Sequence, residues 1–320
     1  MKVVTLGVHV LDVLVRPVEA IPEGQGATLV EDIRMTAAGT AGGTALTLAK
    51  LGATVYSAGA IGSDPTGDML VRLLGAAGID TTHLVRRTDT ATSASVLPIR
   101  PNGDRPSLHL LGANITYGPD DVPWDAVAEA DHLHLGGPEL IGVDTATRIL
   151  SHAKEHGVTT SVDLLAPGVL GGFEQIEAAL PYVDHLLPNE DQVLGFTGEQ
   201  DLVAGAHKLL AAGAGLVAVT RGGDGALLVT PDGTEAVPAF AIDVVDTTGC
   251  GDAFSAGFVR GTGLGRTPHA SAVLGCAAAA LVAQGLGSDH GDFDLAAADT
   301  FAREHKRRFP TEAGASAGTS

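Results

Sequence analysis

The strongest constraint on the fold of this chain is an alternation of strand-like and helix-like segments along most of its length. Parallel strands need long crossovers, which are usually helices, so this order predicts an α/β fold with a mainly parallel sheet between two helical layers. Short β-rich runs predict strands at 3–6, 54–57, 132–135, 159–162, 185–187 and 216–220. Helical spacing predicts helices at 45–51, 65–74, 143–155 and 201–212 and from Cys250, Pro268 and Leu295.

Two segments interrupt this alternation. Residues 13–36 and 91–112 carry polar-interleaved, strand-like patterns without a helical segment between their strands. Period-two alternation is typical of a sheet with one covered and one exposed face. We therefore expect a small separate sheet beside the main one.

The most informative motif is DTTGCGDAF, which spans residues 246–254. The apolar run 240–245 before it predicts the end of a strand, and the residues from Ala253 onwards continue at helical spacing. Gly249, Cys250, Gly251 and Asp252 should then form a strand-to-helix turn. The first amides of a helix lack intrahelical partners and favour anions, so this turn predicts a phosphate-binding site.

Asp252 would lie directly beside that anion site. A carboxylate there would repel phosphate as a ligand, but it suits the removal of a proton from a hydroxyl that attacks the phosphate. An ordinary helix-capping Asp is the structural alternative. The longer string decides between them: DTTGCGDAF, late in the chain and before an Ala/Gly-rich helix, closely resembles the second signature of the PfkB (ribokinase-like) carbohydrate kinase family.

The resemblance implies a three-layer α/β/α core over residues 1–310, with the small sheet as a lid that covers the sugar and forms a homodimer contact. It also implies transfer of a phosphoryl group from ATP, with Mg²⁺, to a hydroxyl of a small sugar or sugar derivative. Asp252 would be the base, and the amides of Gly249, Cys250 and Gly251 would bind the transferred group. The Ala/Gly/Ser/Thr-rich residues 311–320 predict a disordered tail.

Several residues are candidates for binding the acceptor. Asp12 follows the first strand, at the sheet edge where α/β proteins place their ligands. The glycine-rich residues 38–44 resemble the first PfkB signature, although Gly43 stands where relatives normally have Asn. That departure leaves the identity of the sugar open. The acceptor-binding candidates are Asp12, Gly39, Thr40, Gly43 and Asn114.

The donor side is expected further along the chain. Residues 187–192 resemble the Asn-x-x-Glu element that organises water around Mg²⁺ in the family; Asn189 fits it, but Gln192 replaces the Glu and Glu190 is a possible substitute. By resemblance, Asp246 and Thr248 mark a possible K⁺ site, with a later loop at 285–288. The ATP-binding candidates are Asn189, Thr220, Gly222, Gly225 and Gly251.

Composition excludes several other classes of function. The net charge of −19 argues against nucleic acid and anionic membranes as partners. No apolar stretch reaches the length of a membrane span, and two cysteines without CxxC spacing favour the cytoplasm. His132 and His134 alternate on one strand without a third ligand at suitable spacing, so we interpret them as core residues.

Two alternatives remain open. A nucleoside kinase of adenosine-kinase type would use the same mechanism, although an aromatic content of 4% offers few rings for base stacking. Arg100 and Arg105 in the expected lid suit an acidic or phosphorylated sugar, or are simply solvated. The departures at Gly43 and Gln192 would also fit a non-catalytic sugar-binding homologue, against which the intact Asp252 motif argues.

Overall fold

The fold is taken from a computed structural model, which describes residues 1–101, 104–168 and 171–308. The expected tail at 311–320 lies outside the described residues. The strands of the fold, in chain order, are β1 Lys2–Gly7, β2 Val10–Arg16, β3 Asp32–Ala38, β4 Thr54–Gly62, β5 Asp80–Arg87, β6 Ala94–Pro98, β7 Leu108–Leu110, β8 His132–Gly136, β9 Thr159–Asp163, β10 His185–Leu186, β11 Val217–Thr220, β12 Ala226–Thr230 and β13 Gly233–Val237.

The helices begin close to the residues that the sequence indicates. Asp64, Asn189, Asp201, Thr267 and Asp294 each cap a helix by accepting a hydrogen bond from a first-turn amide. The α-helices are α1 Gly42–Lys50, α2 Pro65–Ala76, α3 Trp124–Ala128, α4 Pro138–Ile141, α5 Val143–Glu155, α6 Glu190–Thr197, α7 Leu202–Ala211, α8 Cys250–Gly263, α9 Pro268–Val282 and α10 Leu295–Glu304.

The main sheet has the order β13-β12-β11-β10-β9-β8-β1-β4-β5. Pairing is parallel from β11 to β5, and the β12–β13 hairpin adds an antiparallel edge. Alternate residues of one strand enter opposite cores: Val4 and Leu6 belong to the core that contains residues of α5 and α7, whereas Val3 belongs to the core that contains residues of α1, α2, α8 and α9. The expected three-layer, mainly parallel architecture is therefore confirmed.

A separate sheet of order β3-β2-β6-β7 confirms the expected small sheet. Its register places unlike side chains on its two faces. One row across the sheet is polar and comprises Thr36, Asp12, Ser95 and His109. The next row is apolar and comprises Met35, Val13, Val96 and Leu108, of which Leu108 is 65% exposed. The polar row faces the main sheet, and we call this sheet the lid.

One strand expectation is wrong. Residues 240–245 do not end a strand of the main sheet, because β13 ends at Val237 and Pro238 has no amide for further ladder pairing. Phe240 instead forms an isolated bridge with Arg307, and the Val245 amide donates to the Ala283 carbonyl. The segment thus runs to the DTTGCGD turn beside the residue that follows α9 and the chain that follows α10. Over the described residues, the helices are too short or too polar to cross a membrane.

Candidate active site

A cavity of about 1300 Å³ lies between the carboxyl ends of the parallel strands and the polar face of the lid. This is the edge at which open α/β sheets bind ligands. Residues from the β1–β2 turn, the end of β9, the start of α8 and the lid line one half of it. The loops after β10 and β11, together with α9, line the other half.

Asp252 lies in the first turn of α8, which starts after Gly249 in a left-handed conformation (φ 76°). The Asp252 side chain packs over α1 at Gly43, where a Cβ atom would lie 2.2 Å from its Oδ2 atom. Burial, and to a lesser extent the charge of Asp12, raise the pKa of Asp252 to about 7 against the opposing charge of Arg105. A carboxylate with this pKa is suited to accept a proton near neutral pH.

Several backbone amides at the start of α8, next to this carboxylate, have no hydrogen-bond partner within the described residues. The amides of Gly249, Gly251 and Asp252 have no hydrogen-bond partner within the described ranges, whereas the Cys250 amide donates to the Thr247 carbonyl at 3.3 Å. The start of α8 therefore offers donors to an anion, with Cys250 the weakest of the candidates. Burial raises the pKa of the Cys250 thiol to about 12, so this cysteine fills space and is not a nucleophile.

The buried carboxylate of Asp246 holds this turn in shape. Its Oδ1 accepts hydrogen bonds from the Thr248 amide at 3.0 Å and the Thr248 hydroxyl at 2.8 Å. Its Oδ2 accepts from the Gly287 amide at 3.0 Å, and Ser288 lies directly against Gly249. The side chain of Asp246 is thus occupied by internal donors, and any K⁺ site here would need the backbone carbonyls of the two loops.

Asp12 lies in the half of the cavity under the lid, which we call the acceptor half because the acceptor is expected there. Burial raises the pKa of Asp12 to about 6, against a hydrogen bond from Ser95 and the charge of Arg105. From the lid, Arg105 donates through Nε to the Thr247 hydroxyl at 3.0 Å and lines the cavity. The lid thus brings a guanidinium to the same space as Asp12 and Asp252. Arg100 is not among the described residues that line the cavity.

Two further buried carboxyls were not identified from the sequence. Asp163 ends β9, lines the cavity and accepts a hydrogen bond from Ser255 at 3.2 Å. Burial and the nearby charge of Asp252 hold its pKa well above the ordinary value. Glu139 accepts from the Leu165 amide at 2.9 Å, and burial raises its pKa to about 7. The signal for Asp163 was its place at the carboxyl end of a predicted strand.

The other acceptor candidates differ in position. Gly39 and Thr40 line the cavity. Asn114 is 3% exposed and bonds the backbone of His9 twice, accepting from its amide at 3.2 Å and donating to its carbonyl at 2.9 Å. Asn114 therefore positions the β1–β2 turn, and it is not among the described residues that line the cavity. Gly43 lies under Asp252 and is not among the cavity-lining residues.

Gln192 has a structural explanation. Asn189 and Gln192 form a reciprocal capping box at the start of α6, and Gln192 Nε2 also donates to the Leu164 carbonyl at 2.7 Å. A glutamate carboxylate has no hydrogen to make that third bond. The amide therefore ties α6 to the end of β9, and Asn189 remains at the cavity wall with Thr220.

The other half of the cavity, which we call the donor half because ATP is expected there, has an apolar wall and a cationic residue, Arg308, that was not predicted from the sequence. Glu190 lies 3.6 Å from the Nε atom of Arg221, and neither residue lines the cavity, whereas Arg308 lines it beside Gly223. The run of basic residues at 306–308 was the available signal. Gly222 and Gly225 line the cavity, and its apolar wall comprises Phe240, Ile242, Val244, Phe254, Cys276, Ala279 and Ala280.

The polar groups at this wall fit a Mg²⁺ ion that is held mainly by phosphates and water. In the described parts of the chain, no cluster of three or more acidic, His or Cys side chains is arranged as a metal site. Asp163, Asn189 and Asp191 nevertheless line the cavity. Mg²⁺ is commonly bound by one or two protein groups plus substrate phosphates, so such a sparse donor set is sufficient.

Comparison with known proteins identifies the family. The profile of the pfkB family carbohydrate kinases matches residues 2–292. The chain belongs to this family. It is 32% identical over 248 residues to the ATP-dependent ribose-1-phosphate kinase of Halopiger xanaduensis, which covers 78% of this chain and 80% of that enzyme. It is 28% identical to the adenosine kinase of Schizosaccharomyces pombe, over 69% of this chain and 71% of that one.

Solved structures show the same fold. The ribokinase of Arabidopsis thaliana, in complex with ribose and ATP, superposes with a TM-score of 0.80 at 24% identity and covers 94% of this chain and 98% of that one. With the family match over residues 2–292, the chain is a PfkB-type carbohydrate kinase. The roles of its individual residues stay predictions that the geometry above makes specific.

Proposed function

We propose that this kinase transfers the terminal phosphoryl group of ATP to a hydroxyl of a small sugar or sugar derivative, with Asp252 as general base. The observation that supports this most directly is the pairing of a buried carboxylate with unpaired amides at one helix start. The carboxylate accepts the hydroxyl proton, and the amides of Gly251 and its neighbours stabilise charge on the phosphoryl oxygens. The oxygen–phosphorus bond to the acceptor forms as the bond to ADP breaks.

The cavity separates the two substrates. ATP occupies the half lined by the apolar wall and Arg308, and the acceptor lies under the lid beside Asp12. Mg²⁺, when bound, neutralises phosphate charge near Asn189. The lid excludes water from the reacting phosphate, which would otherwise be hydrolysed.

Arg105 favours an acceptor that already carries a phosphate. It lines the acceptor half, and it lies close enough to Asp12 and Asp252 to lower the pKa of both. A guanidinium there matches a phosphate in charge and geometry. The similarity to a ribose-1-phosphate kinase supports the same class of acceptor.

A nucleoside acceptor is less well supported. The described cavity lining contains the rings of Phe240, Phe254 and His109, and both phenylalanines belong to the donor half. His109 alone would have to stack on an acceptor base. The similarity to an adenosine kinase keeps this acceptor as the second candidate.

The test is ADP release from Mg-ATP over a panel of pentoses, hexoses, sugar acids, sugar phosphates and nucleosides. Loss of the base in Asp252→Asn should reduce turnover by about 10²–10⁴-fold with ATP affinity retained. Retained turnover would refute the assignment of Asp252, and a silent panel with intact ATP binding would favour a non-catalytic homologue. Arg105→Gln should raise KM for a sugar phosphate and leave KM for a neutral sugar unchanged.

A homodimer through the lid forms part of the proposal. In the apolar row of the lid, Met35, Val96 and Leu108 have exposed fractions of 48%, 41% and 65%. An apolar strip on a sheet face is suited to pack against a second copy. Val96→Arg should convert the dimer to a monomer in light scattering, whereas a monomeric parent protein would contradict this arrangement.

A further inference from the structure

A second cavity, of about 690 Å³, lies at the amino ends of the strands, on the opposite edge of the sheet from the candidate active site. Its wall includes His132 from β8, Thr159 from β9 and His185 from β10. Arg260, at the end of α8, and Arg266, before α9, line the other side. None of these residues contributes to the proposed reaction.

A chain of hydrogen bonds fixes the protonation of His132. His134 Nε2 lies 3.1 Å from the Thr40 carbonyl, which only accepts, so this nitrogen carries the hydrogen. Burial lowers the pKa of His134 to about 4, so its Nδ1 is a bare acceptor, and the Ser161 hydroxyl at 2.9 Å must donate to it. With its hydrogen used, Ser161 must accept from His132 Nε2 at 2.7 Å.

It follows that His132 Nδ1 is an unprotonated acceptor. Burial also holds the pKa of His132 well below its ordinary value, which keeps the ring neutral. The Nδ1 atom is buried and has no partner within the described ranges. A buried acceptor without a donor costs free energy, and a hydroxyl entering the cavity would satisfy it.

The other side of the cavity is cationic. Arg266 forms a bidentate pair with Asp299, with both distances 2.7 Å. Arg260 has no carboxylate partner among the described ion pairs; its Nε donates to the Leu51 carbonyl at 2.9 Å. Asp131, the one carboxylate on the described wall, already accepts the Lys2 amide at 2.7 Å. The two terminal nitrogens of Arg260, which have no partner within the described ranges, and the start of α9 at Pro268 favour an anion here.

We propose that this cavity binds the phosphate monoester of a small polyol, with the phosphate on Arg260 and a hydroxyl donated to His132 Nδ1. The proposal does not depend on the acceptor of the kinase reaction. It assigns a ligand class to a site that is separate from the ATP and acceptor cavity.

The test is calorimetric titration of the full-length protein with glycerol 3-phosphate, inorganic phosphate and glycerol. We expect saturable binding of glycerol 3-phosphate that weakens at least about tenfold in Arg260→Gln and persists in Arg105→Gln, because a charge-assisted hydrogen bond is lost in the first variant alone. Arg303→Gln on α10 is the matched control for loss of a surface arginine. Unchanged melting temperatures would show that the variants are folded.

A second variant tests the hydroxyl contact. Glycerol 3-phosphate should bind more tightly than inorganic phosphate to the parent protein, and His132→Phe should abolish that difference. Parent-like affinity in Arg260→Gln, or loss of binding in Arg105→Gln instead, would place the ligand elsewhere and overturn the proposal. Absence of saturable binding to the folded parent protein would overturn it as well.

Discussion

Replacing Gly43 by alanine should displace the carboxylate of Asp252, the proposed base, without changing its chemistry. The added Cβ would lie 2.2 Å from Asp252 Oδ2, 2.8 Å from Cγ and 3.0 Å from Cβ. Carbon and oxygen atoms pack at about 3.5 Å, so the carboxylate has to move by about 1 Å. A misplacement of that size costs on the order of 10²-fold in rate.

The assay is steady-state ADP release with the acceptor that the panel identifies, together with calorimetric ATP binding. We expect kcat to fall about 10²-fold in Gly43→Ala and ATP affinity to persist, because the donor half of the cavity is untouched. Gly75→Ala is the matched control: it lies in α2 with no atom within 4 Å of the added Cβ and should gain about 0.5–1 kcal/mol of stability with full activity. A Gly43→Ala variant with parent-like kcat would refute the reasoning.

Four further outcomes follow from named contacts. Activity should rise with pH through about 7 as Asp252 ionises, and Arg105→Gln should move this limb to higher pH in kcat/KM profiles because a charge that lowers the pKa is removed; an unmoved limb would contradict that coupling. Lys50→Met should lower the unfolding free energy by about 1–3 kcal/mol in denaturant titrations. The Lys50 ammonium donates to the carbonyls of Asp289, His290 and Gly291 at 2.7, 2.8 and 2.7 Å, and these bonds would be lost. A parent-like denaturation midpoint would show that Lys50 does not stabilise this loop. Asp163→Asn should stabilise the ligand-free protein at pH 8 and have little effect at pH 4. The pKa of Asp163 is raised in the folded state, so the favourable protonated carboxyl is lost as pH rises through that pKa, whereas Asn stays neutral. Equal shifts in melting temperature at both pH values would be inconsistent with a buried charge. Gln192→Glu should destabilise the protein by about 1–2 kcal/mol, because the bond to Leu164 is lost, and should not improve Mg²⁺-dependent turnover; a gain in turnover would show that this position acts on the metal.

Much of the fold was predictable because it depends on local periodicity. Helices were expected to start at Cys250, Pro268 and Leu295, and they do. Each has a local start signal, in two cases a capping Thr267 or Asp294 immediately before it. Local chemistry of this kind is visible in sequence, since the cap and the helix are neighbours.

The run 240–245 shows where local reasoning fails. Its apolar composition fits a strand, but the chain there is held by contacts to Ala283 and Arg307, which lie about forty and more residues away along the sequence. Apolar composition records burial and does not specify the partner that buries it. The pairing depends on where the C-terminal segment returns.

The same distinction applies within the site. The position of Asp252 in the first turn of α8 was predictable because the glycine turn and the helix start share one continuous motif. Asp163, Arg105 and Arg308 reach the cavity from three separate elements, and only the folded arrangement brings them together. Asn114 shows the same dependence on the fold: it bonds the backbone of His9, which is 105 residues away in sequence, and no local pattern indicates that contact.

The departures at Gly43 and Gln192 have separate structural causes, and neither requires loss of catalysis. Gly43 leaves space that the Asp252 carboxylate fills, so a larger side chain there would compete with this carboxylate for space. Gln192 exchanges a carboxylate for an amide that joins α6 to the end of β9. At Gly43 the side chain expected to face a ligand is missing, which leaves room for Asp252. At Gln192 it is replaced by an amide that supports Asn189. We therefore expect the lid to contact the acceptor, because Arg105 supplies the one guanidinium of the acceptor half within the described cavity lining. For the same reason, we expect a phosphorylated sugar to discriminate between the candidate functions.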